Sequence, residues 1–340
     1  MFKVKLSIAK DNEGCNRQLP QGKYVWKDYH FFINEDVSEP DFWVVYSKGE
    51  RKTETAMCAP ENTVFITGEP ETVYHYSNGF LSQFARILSV QNGIKHQNML
   101  MCQPAQPWHI GKITKKYEGG IKNASEVVYT QNYDSLKSST PQKTKLMSVI
   151  TSNKAFTKGH RERIEFVHGL KDYYGDQLDL FGWGFNDFAD KWDVIAPYKY
   201  HICIENSAYP HYWTEKLADC YLGGAFPFYF GAPNVEEYFN KDAFCKIDIK
   251  DIDRTIKIMD GALASSFYEK SIGALETAKQ QVLDKYNLFN LLVEQLEQMN
   301  PYEKKVKLTI KHDGEFFDFA KIRIMVVNRI ENKILNKLGK

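Results

Sequence analysis

The stretch ENSAYPHYWTEK, residues 205–216, sets two carboxylates, an amide, three aromatic rings, a histidine and a lysine within twelve positions. Glu205, Asn206 and Ser207 follow an apolar run, YKYHICI, and Thr214 stands where it would cap a helix opening at Glu215 and Lys216. Unpaired N–H groups at a helix start favour an anion, and the Lys216 ammonium adds a full charge. The pattern therefore suits a phosphate or diphosphate leaving group, on which negative charge grows in the transition state. Taken alone, the same residues also describe a capped helix with a solvent-facing lysine. A second stretch, PAQPWHIG at 104–111, places Trp108 and His109 between Pro107 and Gly111, where the indole would either stack on a sugar ring or pack in a core. Asp251-Ile-Asp253 has the spacing of a metal-binding DxD, but it lies in a run of alternating charges, DIKDIDRTIK, and we expect no metal ligand there.

These residues need strand ends and helix starts to hold them. Short apolar runs recur at 4–8, 41–47, 63–69, 145–153, 198–206 and 225–231, rich in Val, Ile, Phe and Tyr and closed by Gly, Asn or Pro. They suit buried parallel strands. Trp43, inside the second run, is expected in a strand and core. Helical patterns at 161–175 and 214–224 lie between runs, the second stopping at Gly223 or Gly224. This alternation predicts an α/β chain in which ligands gather at the carboxyl ends of strands. The polar stretch from Lys115 to Lys145 reads as a linker, which puts a domain boundary near Lys143. Residues 301–340 turn basic and amphipathic, and predict a terminal helix packed on the body, the alternative being peripheral contact with a membrane surface.

The 340 residues are enough for two domains with separate cores. Forty-four basic against forty-three acidic side chains leave a net charge of +1, so no overall field would hold nucleic acid or an anionic membrane. Six scattered cysteines without CxxC or zinc spacing read as reduced and mostly buried, which fits a cytoplasmic location. No stretch reaches the length of a membrane span or of a signal peptide's apolar run. A nicotinamide oxidoreductase is disfavoured, since no GxGxxG follows a candidate strand.

The segment YKYHICIENSAYPHYWTEKLADCYLGGAFPFYFGAP resembles the signature of the α1,3/α1,4-fucosyltransferase family (glycosyltransferase family 10), which reads approximately YKF, ENS, an aromatic loop, TEK, a helix and a strand ending G-x-P. KLMSVITSNKAFTKGHRERIEFVHGL is similar to the family's SN…R…L segment, with Arg163 in the best-fitting position and Arg161 as the fallback. LDLFGWG resembles its D-x-x-G, and VFITGEPETVYHY its VFYTGE strand end. The resemblance covers residues 60–250, most firmly 145–250. His211 and Trp213 depart from the small and the aliphatic residue expected there, so the shape of the donor pocket stays open.

The resemblance implies a GT-B-like fold, two Rossmann-like domains facing across a cleft, with residues 1–143 binding the acceptor and 144–300 binding the nucleotide sugar. It implies inverting transfer of L-fucose from GDP-β-L-fucose to a hydroxyl of a GlcNAc-containing glycan, most simply α1,3. Glu69 is then the base, with Glu71 its competitor; Arg163 and Lys216 clamp the diphosphate; Asn206, Tyr212 and Glu215 lie near sugar and ribose; Trp108 and His109 are acceptor candidates. No metal or other cofactor is expected. Two readings stay beside this one, transfer of another GDP-linked deoxy sugar and a catalytically silent carbohydrate-binding protein. Acceptor, linkage and oligomeric state are not fixed by the sequence.

Overall fold

The computed structural model describes residues 1–116, 125–151 and 158–317, in two compact units. One unit holds residues 1–107, Tyr209–Tyr212 and the chain from Lys285 as far as it is described; the other holds Trp108–Ala208 and Trp213–Asp284. The division thus falls between Pro107 and Trp108, well before Lys143, and the chain leaves the second unit at Asp284, before residue 300.

The first unit contains β1 (Phe2–Ser7), β2 (Val25–Trp26), β3 (Tyr29–Ile33), β4 (Phe42–Tyr46), β5 (Glu54–Cys58), β6 (Thr63–Ile66), helix α1 (Asn78–Leu81), β7 (Arg86–Ser89) and β8 (Met99–Met101). Seven of these strands form a sheet in the order β2-β3-β1-β4-β6-β7-β8, parallel except for the β2–β3 edge pair. β4 shows why its sequence reads as one unbroken apolar run. Alternate side chains feed opposite faces, Val44 and Tyr46 one core and Trp43 and Val45 the other, so no position is left for a polar residue. The Trp43 indole N–H, buried by this, donates to Ser7 Oγ at 3.1 Å.

The second unit opens with β9 (Lys112–Lys116) and β10 (Ser125–Tyr129), an antiparallel pair, and α2 (Tyr133–Ser138). It continues through β11 (Lys145–Ile150), α3 (Lys158–Tyr174), β12 (Leu178–Phe181), α4 (Lys191–Ile195), β13 (Tyr198–Ile204), α5 (Glu215–Leu222), β14 (Phe226–Phe230), β15 (Cys245–Lys246), α6 (Ile252–Ala264) and α7 (Phe267–Gln280). The sheet order is β12-β11-β13-β14-β15, all parallel. The expected linker is therefore structured where it is described. Lys112–Lys116 and Ser125–Tyr129 pair with each other, and α2 begins at an Asn132–Ser135 capping box.

Helix α5 follows its sequence signals. Thr214 caps it, the hydroxyl accepting from Lys216 N, and Gly223 ends it, with Gly224 at φ +65°. Lys216 is the one member of α5 that is not buried.

After Asp284 the chain returns to the first unit. Helix α8 (Leu288–Leu296) lays Leu288, Phe289, Leu292, Val293 and Leu296 into the same core as Val44, with Phe289 edge-on to Phe31 at 4.8 Å, and β16 (Val306–Ile310) pairs antiparallel with β5. The basic helix expected in residues 301–340 falls largely in 318–340, outside the described residues; Val306–Ile310 is a strand. None of the six cysteines is in a disulfide, and all but the half-buried Cys245 are buried. Among the described residues no helix is long and apolar enough to cross a membrane.

Candidate active site

β13 delivers Glu205 inward, 2% exposed, at the point where the chain must turn toward α5. Its Oε1 accepts from Thr214 N at 2.8 Å and its Oε2 from the Thr214 hydroxyl at 2.7 Å, so one carboxylate closes the loop that the sequence spells from 205 to 214. Lys216 Nζ stands 3.4 Å from both Glu205 Oε2 and Glu215 Oε1. Burial raises the Glu205 carboxyl, with Lys216 opposing. Glu215 is also buried, but Lys216, His109 and Lys191 outweigh that and hold it well below the ordinary carboxylate value.

Arg163, on α3 after β11, donates from Nη1 to Asn206 Oδ1 at 3.2 Å. Arg163, Asn206, Glu215, Lys216 and His109 all line a cavity of about 630 Å³ at the carboxyl ends of β11, β12 and β13. Three buried polar atoms on that wall have no hydrogen-bond partner: Thr151 Oγ1, Arg163 Nε and Glu215 Oε2. They leave two donors and an acceptor for a polyhydroxylated, anionic ligand. The floor includes His201, whose Nδ1 lies 2.8 Å from Ser148 Oγ; burial, helped by Lys191 and Lys143, lowers this histidine to about 3 and keeps it neutral.

Two buried aspartates, both missed in the sequence, fix the 109–111 segment against this wall. Asp219 Oδ1 accepts from His109 N and Ile110 N, each at 3.0 Å, while its Oδ2 pairs with Lys191 at 2.7 Å. Asp190 accepts from Gly111 N, the Thr130 hydroxyl and Trp192 N. Burial opposes the charge of Lys191, but Asp219 and Glu215 prevail and raise it above the usual lysine value. The signal for Asp219 was present, a lone charge inside the apolar run LADCYL.

The structure separates some of the predicted set. Trp108 is 3% exposed and cannot present its ring face, so the packing alternative holds; His109 belongs to the second unit, not to a first-half acceptor site, with its Nδ1 3.6 Å from Glu215 Oε1. Tyr212 is buried, 1% exposed, and is not on the cavity wall. Trp213 is buried edge-on against Tyr238 and Phe239 and also stays off the wall, while His211 takes a left-handed backbone, φ +65°. Asp251 caps α6, its carboxylate accepting from Arg254 N.

Glu69 follows β6 in the first unit, on a turn held through its backbone. Gln91 Nε2 donates to Glu69 O at 2.7 Å and to Tyr74 O at 2.8 Å, and Gln106 Nε2 donates to Gly68 O at 2.6 Å. Gly68 is required, because a Cβ there would sit 2.9 Å from the Ser47 side chain. Asp313 ties the far end of the turn by accepting from the Tyr74 and Ser77 hydroxyls. Glu71, the competitor, lies 3.8 Å from His75 Nδ1.

Residues 140–261 match the family model described as glycosyltransferase family 10 (fucosyltransferase) C-term. An α-(1,3)-fucosyltransferase of Helicobacter pylori is 30% identical over 100 residues, 27% of this chain and 21% of that protein. A GDP-fucose protein O-fucosyltransferase 3 of Xenopus tropicalis is 46% identical over 52 residues, 15% of this chain and 11% of that one. The chain thus spans less than a quarter of the length of either relative. A crystal structure of an α1,3-fucosyltransferase superposes with a TM-score of 0.50 at 16% identity, covering 93% of each chain, and the fold class is GT-B as expected. Over residues 140–261 the chain is thus similar to the C-terminal segment of glycosyltransferase family 10, the fucosyltransferases.

Proposed function

We propose that the chain transfers L-fucose, with inversion, from GDP-β-L-fucose to a hydroxyl of a GlcNAc-containing glycan, forming an α1,3 linkage. The observation that carries this reading is the convergence of Arg163, Lys216 and the start of α5 on one cavity inside the family-matched segment. The relatives, an α-(1,3)-fucosyltransferase and a GDP-fucose protein O-fucosyltransferase, support the donor.

In this reading Arg163 offers a planar fork and Lys216 a point charge to the diphosphate oxygens, and both stabilise the charge that accumulates as the bond from the sugar's anomeric carbon to the diphosphate breaks. Asn206 holds Arg163 in place, and Glu215 Oε2 accepts from a ribose or sugar hydroxyl. Glu69 takes the proton of the acceptor hydroxyl as its oxygen bonds to the anomeric carbon from the face opposite GDP. The reaction needs no metal on this scheme, since the two cations meet the leaving group.

An acceptor array incubated with GDP-fucose, read by mass, tests the proposal. A gain of one deoxyhexose on a GlcNAc-containing acceptor with equimolar GDP release is expected. No transfer to any acceptor, or transfer only from another GDP-linked deoxy sugar, would overturn it.

A further inference from the structure

The cavity has a second end that the diphosphate-binding groups do not use. β12 and β13 flank β11, so the turn after β12 lies two strand spacings, roughly 10 Å, from the chain that leads into α5. Arg163, on the helix that follows the central strand β11, lines the same cavity and donates to Asn206 after β13. A nucleoside diphosphate laid across these three strand ends with its phosphates at Arg163 and Lys216 brings its base to the turn after β12.

That turn is built to hold an aromatic ring outward. Gly182 N donates to Asn186 O at 2.9 Å, Phe185 N to Gly182 O at 2.8 Å, and the Asn186 amide to Leu180 O at 3.0 Å. Gly182 adopts φ +119°, and a Cβ there would lie 1.8 Å from Thr151 O, so only glycine lets the turn pack on the end of β11. Trp183, the next residue, lines the cavity while 62% exposed, and Asp187, four residues on, lines it with an exposed carboxylate.

Resting on the reading of this cavity as a GDP-sugar site, we infer that Trp183 and Asp187 are its base-reading pair: the indole stacks on guanine, and the carboxylate accepts from guanine's neighbouring N1–H and N2–H groups. A carboxylate is acceptor-only, with two oxygens set to take two parallel donors. Adenine would turn a ring-nitrogen lone pair toward the same oxygens, which repel it. Stacking is tolerant of which base is bound, so the two residues divide the work, Trp183 giving affinity and Asp187 selectivity. Glu215 is unsuited to the reading role, because Lys216 and His109 already engage it beside the phosphate end.

Calorimetric titration of the full chain with GDP, IDP and ADP separates the contributions, since IDP lacks only guanine's exocyclic amine. Wild type should bind GDP about tenfold tighter than IDP, and ADP more weakly still. Asp187→Asn should weaken GDP about tenfold and bring the GDP/IDP ratio near one. Trp183→Ala should weaken GDP and IDP equally, about tenfold, with Trp183→Phe recovering part of the loss. GDP binding with an unchanged GDP/IDP ratio in Asp187→Asn, or unchanged affinities in Trp183→Ala, would overturn this pair alone. Failure of the wild-type chain to bind any of the three would remove the donor reading and the pair with it.

Discussion

Each unit turns its chain at a glutamate-bearing strand end, and the two turns are held in opposite ways. After β6 the turn that carries Glu69 is fastened by neutral amides, Gln91 and Gln106, acting on backbone carbonyls. After β13 the turn that leads to Lys216 is fastened by a carboxylate, Glu205, which also faces the ammonium. On the proposed function, a base at Glu69 gains from a turn that is fastened through backbone carbonyls. On the same reading, the lysine that meets the diphosphate gains from buried carboxylates that hold it in place, at the cost of desolvating them.

The sharpest way to break this comparison is Glu69→Gln. We expect transfer to fall by roughly 10²- to 10⁴-fold with GDP affinity unchanged, checked by steady-state kinetics beside calorimetric titration. A parallel loss of GDP binding would mean that the two turns do not divide chemistry from donor binding.

Glu205→Ala removes the carboxylate from beneath Lys216 and orphans Thr214 N, and should cost about 3 kcal/mol in urea unfolding. Glu205→Gln keeps the bond acceptor and should cost less than half of that. Equal losses would show that charge, not hydrogen bonding, holds the second turn.

Gln91→Ala is the mildest of the three. It leaves the carbonyls of Glu69 and Tyr74 without their shared donor, for about 1–3 kcal/mol of stability, and should lower turnover while sparing GDP affinity. Because the amide is uncharged, raising the salt concentration should leave the difference from wild type unaltered.

How far the sequence carried this picture depends on how local each signal was. All six apolar runs became strands, parallel to their sheet neighbours, because a strand buried on both faces is apolar along most of its length, as β4 illustrates. Thr214 and the Gly223–Gly224 stop of α5 were equally readable, since caps act over a few residues. The segment from Lys112 to Ser138 was not, because its strands are short and polar and their partners are each other. The division of the chain was misplaced for a related reason. Nothing local in NLFNLLVEQL says that its apolar face belongs with β1, β3 and β4, more than 240 residues earlier.

Within the site, the resemblance brought Arg163, Asn206, Glu215 and Lys216 to one cavity. It could not show that Trp108 and Tyr212 are core residues or that Lys191 and Asp219 stand behind His109, because burial and long-range pairing are tertiary facts.

The return of the chain to the first unit after Asp284 sets an order of events during synthesis. Residues 1–107 leave the ribosome before the second unit, yet Phe289 and its neighbours on α8, which complete their core, and β16, which pairs with β5, emerge after it. The described sheet and helices of the second unit are all in hand by Asp284, while the first must wait with an apolar face uncovered. A nascent chain stalled before Leu288 would therefore present that face to a chaperone, although the first 107 residues already hold every strand of the seven-stranded sheet.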